Sequence, residues 1–132
     1  MKAAVARELS RPIRVLVVDD EPLFVEMVQA MLDAEAEIEV VGKAGHGLDA
    51  VRLAGALGPD VVVMDISMPV MDGIEATRRI RDENPTASIL ILTGGANVAE
   101  IDRARKAGAA GYLTKDRIAS DLIRELRAVA AR

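Results

Sequence analysis

The chain predicts an α/β fold: a five-stranded parallel sheet with helices on both faces. Three observations carry this expectation. Short apolar runs alternate with stretches of helical periodicity, five times over. The runs, such as Val61 to Met64, are continuous rather than alternating, as strands covered on both faces require. Strand-like and helix-like segments also follow one another singly, the pattern of strand–helix–strand crossovers.

Taken in order, Ile13 to Val18 is a β-branched run that ends in Asp19-Asp20. Pro22 suits the first turn of the helix that follows, where its missing N–H has no intrahelical partner to lose. In that helix apolar residues recur every four positions, at Leu23, Met27, Met31 and at Phe24, Val28, Leu32. Ile38 to Val41 is the second strand, and Leu48 to Leu57 the second helix, closed by Gly58-Pro59. Val61 to Ile66 is the third strand. The third helix spans about Gly73 to Arg81, with Ile74, Thr77 and Ile80 inward, and Pro85 ends the connection. Ser88 to Leu92 is the fourth strand, and Val98, Ile101 and Ala104 line a fourth helix that stops at Gly108. Ala110 to Leu113 is the fifth strand, and Leu122, Ile123, Leu126 and Val129 line the last helix. Residues 1–12 read as an extension and 13–132 as one domain, a size that suits a single core.

Composition narrows the function. The chain is 51% hydrophobic and 29% charged, a globular balance, and Phe24 and Tyr112 are its whole aromatic set. A net charge of -4 argues against non-specific nucleic-acid binding, which leaves a basic footprint. The absence of cysteine removes disulfides, thiolate chemistry and cysteine-based zinc sites, and the single His46 builds no histidine-rich metal site. The apolar runs are strand-sized, far from the ~20 residues of a membrane span. The first twelve residues lack the apolar stretch of a signal peptide. The expectation is a soluble cytoplasmic protein.

Open parallel sheets bind ligands outside the carboxyl ends of their strands. Here the first strand ends in Asp19 and Asp20, the third in Asp65, the fourth at Thr93, and Lys115 follows the fifth. Each alone has a bland reading: a turn, a cap, a surface charge. Together on one rim they suggest chemistry. Three crowded carboxylates repel one another until a hard divalent cation such as Mg²⁺ joins them. An ammonium and a hydroxyl beside them suit a phosphoryl group, and a carboxylate in that setting can act as a nucleophile toward it.

At this point the sequence resembles a known family. The blocks VLVVDDEP (Val15 to Pro22), VVVMDISMPVMDG (Val61 to Gly73), ILILTG (Ile89 to Gly94) and AAGYLTKD (Ala109 to Asp116) are similar to those of response-regulator receiver domains. The last is most similar to receivers of the NarL/FixJ class. The resemblance covers about residues 13–130. It implies a flavodoxin-like (βα)5 fold with strand order 2-1-3-4-5, and a phosphoryl-accepting role in two-component signalling. It implies Asp65 as phosphoacceptor and Mg²⁺ held by Asp19, Asp20, Asp65 and the backbone carbonyl of Ser67. Thr93 and Lys115 would bind the phosphoryl group, and Thr93 with Tyr112 would form a switch. The implied partners are a sensor histidine kinase or phosphotransfer protein. An output partner or second copy would dock on the face of the fourth helix, fifth strand and fifth helix, where Arg103, Arg105, Lys106, Arg117, Arg124 and Arg127 are expected.

Three departures from the family pattern stand out. Asp116 follows Lys115 where many receivers have Pro, and Gly94-Gly95 follows Thr93 where Ala is common. The chain stops at Arg132, where that class normally continues into a helix-turn-helix domain, so a stand-alone receiver and the receiver part of a transcriptional regulator both fit. Self-phosphorylation and self-dephosphorylation are not enzymatic turnover in the usual sense. Among the competing readings, a degenerate receiver that binds partners without phosphorylation would not need the full set Asp19, Asp20, Asp65, Thr93 and Lys115. A phosphohydrolase would want a second carboxylate just after Asp65, where Ile66 and Ser67 stand, and a cap domain. A mononucleotide binder would want a phosphate-cradling loop after the first strand, where acidic residues stand instead.

Overall fold

A computed structural model describes residues 11–95 and 97–131. The expected extension over residues 1–12 therefore lies outside the described residues, apart from Arg11 and Pro12. The element order is β1 (Ile13–Val18), α1 (Pro22–Asp33), β2 (Ile38–Ala44), α2 (Gly47–Leu57), β3 (Val61–Asp65), α3 (Gly73–Glu83), β4 (Ser88–Thr93), α4 (Val98–Ala107), β5 (Gly111–Thr114) and α5 (Ile118–Ala130). A single 3-10 turn over Lys115–Arg117 joins β5 to α5. The sheet order is β2-β1-β3-β4-β5, parallel throughout. Among the described residues, no helix is long and apolar enough to cross a membrane.

The continuous apolar strands now have a cause. Successive side chains point to opposite faces, so each strand feeds two cores. Val15, Val17, Val63, Leu90 and Leu92 pack on one face against Val28 and Leu32 of α1 and Leu122, Leu126 and Val129 of α5. Leu16, Val18, Val62, Met64, Ile89 and Ile91 pack on the other against Ala50 and Ala54 of α2, Ala76 and Ile80 of α3 and Ala104 of α4. Three helices share that second face, and alanine at their contacts lets them lie close to the sheet.

Helix ends follow local chemistry. Asp72 and Asn97 cap α3 and α4 by accepting from the backbone N–H of Glu75 and Glu100. His46 caps α2, its Nδ1 accepting from Asp49 N at 3.2 Å. Gly58 and Gly108 close α2 and α4 at φ +58° and +115°, backbone that a side chain would strain.

Several expectations need correction. β2 runs to Ala44, not Val41: it slips register between Val15 and Leu16, so that Gly42 and Lys43 pair with Leu16 and Val17. At Gly42 a Cβ would come within 2.7 Å of a Leu57 methyl, so glycine lets that side chain pack directly on β2. The Leu23–Met27 stripe of α1 faces solvent, with Leu23 80% exposed, while Val25, Val28 and Leu32 form the buried line. A spacing of four marks two adjacent stripes equally well, and the sheet covers only one. Thr77 is buried as expected, its hydroxyl donating to Gly73 O at 2.6 Å. The basic set also divides. Arg127 turns to Glu35 and Glu37 beyond α1, and Arg103 lines a groove with Asp20, Ser67 and Asp72.

Candidate functional site

β1, β3, β4 and the turn after β5 deliver their terminal residues to one rim. β1 and β3 are neighbours, so Asp19, Asp20 and Asp65 meet, each offering an oxygen within 4.8 Å of the others. Asp19 and Asp65 are buried and Asp20 is exposed. Asp19 Oδ1 accepts from Glu21 N at 2.9 Å, a link that fixes the start of α1 against the rim. Asp19 Oδ2 accepts from Lys115 Nζ at 2.9 Å, and the same Nζ lies 3.5 Å from Asp65 Oδ1. One ammonium thus bridges two carboxylates from different strands.

The backbone beside Asp65 is closely constrained. Ile66 N still donates to Leu92 O at 2.9 Å, so the sheet ladder holds one residue past the strand. Ser67 N reaches Asp65 Oδ1 at 3.4 Å. The chain then returns, with Gly73 N donating to Ile66 O. A Cβ on Gly73 would stand 2.3 Å from Asp65 O, a clash with backbone that no rotamer relieves. Gly47 at the start of α2 would likewise strike Met71 O at 2.4 Å. Between these two contacts Val70 adopts φ +71°, backbone that a β-branched residue rarely takes.

Burial is the main reason that the Asp65 carboxyl is pushed up, from 3.8 to about 6, and the Asp19 charge adds to it. Lys115 only partly offsets the two. For Lys115 itself burial pulls the ammonium down, but the hydrogen bond to Asp19 and the charges of Asp65 and Asp19 leave it above its usual value.

Of the expected phosphoryl-binding residues, Lys115 is at the carboxylates and Thr93 is turned away from them. Thr93 is buried, and its hydroxyl donates to Gly95 O at 2.7 Å and accepts from Gly95 N at 3.3 Å. Ser67 lines the grooves on either side, one with Asp20 and Arg103, the other with Thr93, Gly94 and Gly95. Tyr112 lies outward on β5, 39% exposed, with Arg105 stacked 5.5 Å from its ring centre. Two residues escaped the reading of the sequence. Phe24 places its ring 4.4 Å from Lys115 Nζ. Asp121, buried in the first turn of α5, accepts from Arg117 at 2.8 Å and pairs with Arg124 at 3.2 Å. The only signal for the second was the i, i+4 spacing of Arg117 and Asp121; nothing in the sequence tied Phe24 to Lys115.

Comparison with known proteins agrees with this arrangement. Residues 15–127 match the model of the response regulator receiver domain. The transcriptional regulatory protein YxjL of Bacillus subtilis is 40% identical over 118 residues, which is 89% of this chain and 54% of that protein. A protein-glutamate methylesterase/protein-glutamine glutaminase of Myxococcus xanthus is 46% identical over 105 residues, 80% of this chain and 29% of that protein. The chain therefore spans about half the length of the regulators it matches, and less of the methylesterase. The signal receiver domain of the putative response regulator NarL from Mycobacterium tuberculosis superimposes with a TM-score of 0.87 at 33% identity, covering 92% of this chain and 98% of that one. Fold, rim and relatives converge: this chain belongs to the response regulator receiver domain family of two-component signal transduction.

Proposed function

We propose that Asp65 is the phosphoacceptor. The observation that carries this is the Lys115 ammonium set between Asp19 and Asp65, with three carboxylate oxygens within 4.8 Å. An Asp65 oxygen attacks the donor phosphorus, a P–O bond forms, and the bond to the leaving group breaks. With a phosphohistidine donor the departing imidazole nitrogen keeps the electron pair and takes a proton. Lys115 then pairs with a phosphoryl oxygen, and the Thr93 hydroxyl leaves Gly95 to donate to another.

The donor set is all oxygen, which fits a hard cation and no soft one. Asp19, Asp20, Asp65 and the Ser67 carbonyl would hold Mg²⁺, which when bound neutralises charge on the transferred group. Asp20, exposed and flanked by the Ser67 groove, is the open side of that set.

The receiver unit spans residues 13–132, with 1–12 as an extension. Its donor is a sensor histidine kinase or phosphotransfer protein of the cytoplasm. Its output face lies over α4, β5 and α5, where a groove of about 700 Å³ is lined by Arg105, Tyr112, Arg117, Asp121 and Glu125. A partner protein or a second copy docks there, and the chain itself makes no direct contact with nucleic acid. The named relatives differ in output, one a transcriptional regulator and one a methylesterase. The receiver is what they share with this chain, and turnover of an outside substrate is no part of it.

Intact mass after incubation with acetyl phosphate and Mg²⁺ tests the assignment. One added phosphoryl group, ~80 Da, is expected on the parent and none on Asp65→Asn. The same shift on Asp65→Asn overturns it.

A further inference from the structure

Lys115 is the cation of the site, yet it stands on a four-carbon stem in the turn after the edge strand β5. Such a stem leaves the ammonium free to roam unless something holds it. Two of its supports are anions, Asp19 Oδ2 at 2.9 Å and Asp65 Oδ1 at 3.5 Å. Both belong to the acidic cluster, so their lone pairs are the ones a divalent cation claims. Asp65 also changes chemistry when it accepts a phosphoryl group. The third support is different. The Phe24 ring centre lies 4.4 Å from Lys115 Nζ, well within the range of a cation over an aromatic face. The ring is partly buried and packed against the core between the sheet, α1 and α5, so it is fixed in place. Neither a metal ion nor a phosphate competes for it.

We propose that Phe24 is a positioning residue for phosphoryl transfer, its ring holding the Lys115 ammonium beside Asp65 while the carboxylates change partners. This rests on the reading that Asp65 accepts the phosphoryl group. A simple core-filling role would be met as well by leucine; the proposed role needs the negative face of an aromatic ring. Tyrosine keeps that face, and leucine does not.

The test is a double-mutant cycle read by beryllofluoride affinity in the presence of Mg²⁺, on the parent, Phe24→Leu, Phe24→Tyr, Lys115→Ala and the Phe24→Leu/Lys115→Ala pair. Phe24→Leu should weaken binding by about two- to tenfold, the range of such contacts. Phe24→Tyr should stay within about twofold of the parent. In the Lys115→Ala background Phe24→Leu should add nothing, because the contact it removes is already gone. Equal losses with and without Lys115, or tyrosine as damaging as leucine, overturn the proposal. Urea midpoints establish that each variant folds; if Phe24→Leu does not, Phe24→Met, flexible and without a ring, takes its place in the cycle. Failure of the parent itself to bind beryllofluoride, or undiminished binding by Asp65→Asn, strikes the acceptor assignment instead.

Discussion

Replacing Asp65 by Asn should make the metal-free protein more stable at neutral pH. The folded-state value of the Asp65 carboxyl, pushed up to about 6, lies above the 3.8 of an unperturbed aspartate, first through burial and then through the Asp19 charge. The folded protein therefore holds this proton more tightly than the unfolded chain does. As pH rises from 3.8 towards 6 the unfolded state ionises first, so stability falls through that window and stays reduced above it. A separation of about 2 between the two values corresponds to about 3 kcal/mol, an upper bound because Asn still has to be desolvated. The amide keeps the shape and still accepts from Ser67 N, while Lys115 keeps Asp19. Urea unfolding in EDTA measures the difference. With a slope of about 1–3 kcal/mol/M, the Asp65→Asn midpoint should lie above the parent at pH 7.5 by at most roughly 1–3 M. The gap should shrink to a small remainder at pH 4, just above the 3.8 of the unfolded carboxyl, and saturating Mg²⁺ should narrow it at pH 7.5 by binding the folded parent. A variant no more stable than the parent at pH 7.5, or a gap as large at pH 4 as at pH 7.5, would refute the reasoning.

Two other predictions concern the cation and the switch. Asp20→Ala should lose Mg²⁺ binding in a titration of the metal-free protein while leaving its urea midpoint nearly unchanged, since Asp20 is exposed and surface substitutions typically move stability by less than about 0.5 kcal/mol; parent-like affinity would remove Asp20 from the metal set. Beryllofluoride should shift the ring signals of Tyr112 and the amides of Gly94 and Gly95 in NMR spectra, because Thr93 must release Gly95 to reach the phosphoryl group; unchanged signals with Asp65 occupied would sink the switch and leave the acceptor intact.

Much of this was legible in the sequence because the governing patterns are local. Val61 to Met64 reads as a strand covered on both faces, and the two cores confirm why. The rim was legible for a similar reason: a residue at a strand's carboxyl end has its position fixed by topology. What was not legible depends on side-chain direction across elements. Leu23 and Val25 are both apolar in α1, and only the docking angle of the helix decides that Val25 goes inward. Arg127 counts as basic surface in the sequence, but Glu35 and Glu37, some ninety positions earlier, turn it away from the α4–β5–α5 face. The β2 register shift at Gly42 and the approach of Phe24 to Lys115 are of the same kind. Each is a contact between distant segments that no periodicity encodes.

These distant contacts also explain how a change at one carboxylate can reach the far side of the sheet. If Asp65 is the acceptor, phosphorylation replaces its carboxylate by an acyl phosphate carrying roughly -1.5 to -2 charges, next to the Asp19 carboxylate. On that proposal the new group would act most directly on Lys115, which would lose Asp65 as a carboxylate partner and gain a phosphoryl oxygen, and on Thr93, whose hydroxyl is now tied to Gly95. Thr93 pairs with Thr114 in the β4–β5 ladder, and Ile91 pairs with Tyr112 two residues earlier along the same strands. The hydroxyl and the aromatic ring are thus two steps apart on a shared ladder. In the proposed switch, movement of Thr93 towards the rim would change the space behind β4, while Arg105 stands 5.5 Å from the centre of the outward ring. A ligand shifts such an equilibrium only by its difference in affinity for the two states, and couplings between sites are typically ~1–3 kcal/mol. The cation–aromatic contact that opposes inward movement is worth about 0.5–1 kcal/mol at an exposed site. The opposing contact is therefore no larger than the coupling, so occupancy of Asp65 can shift the Tyr112 equilibrium while leaving both orientations populated. Affinity at the α4–β5–α5 face should then be graded with phosphorylation, within about 5–150-fold, rather than gated absolutely.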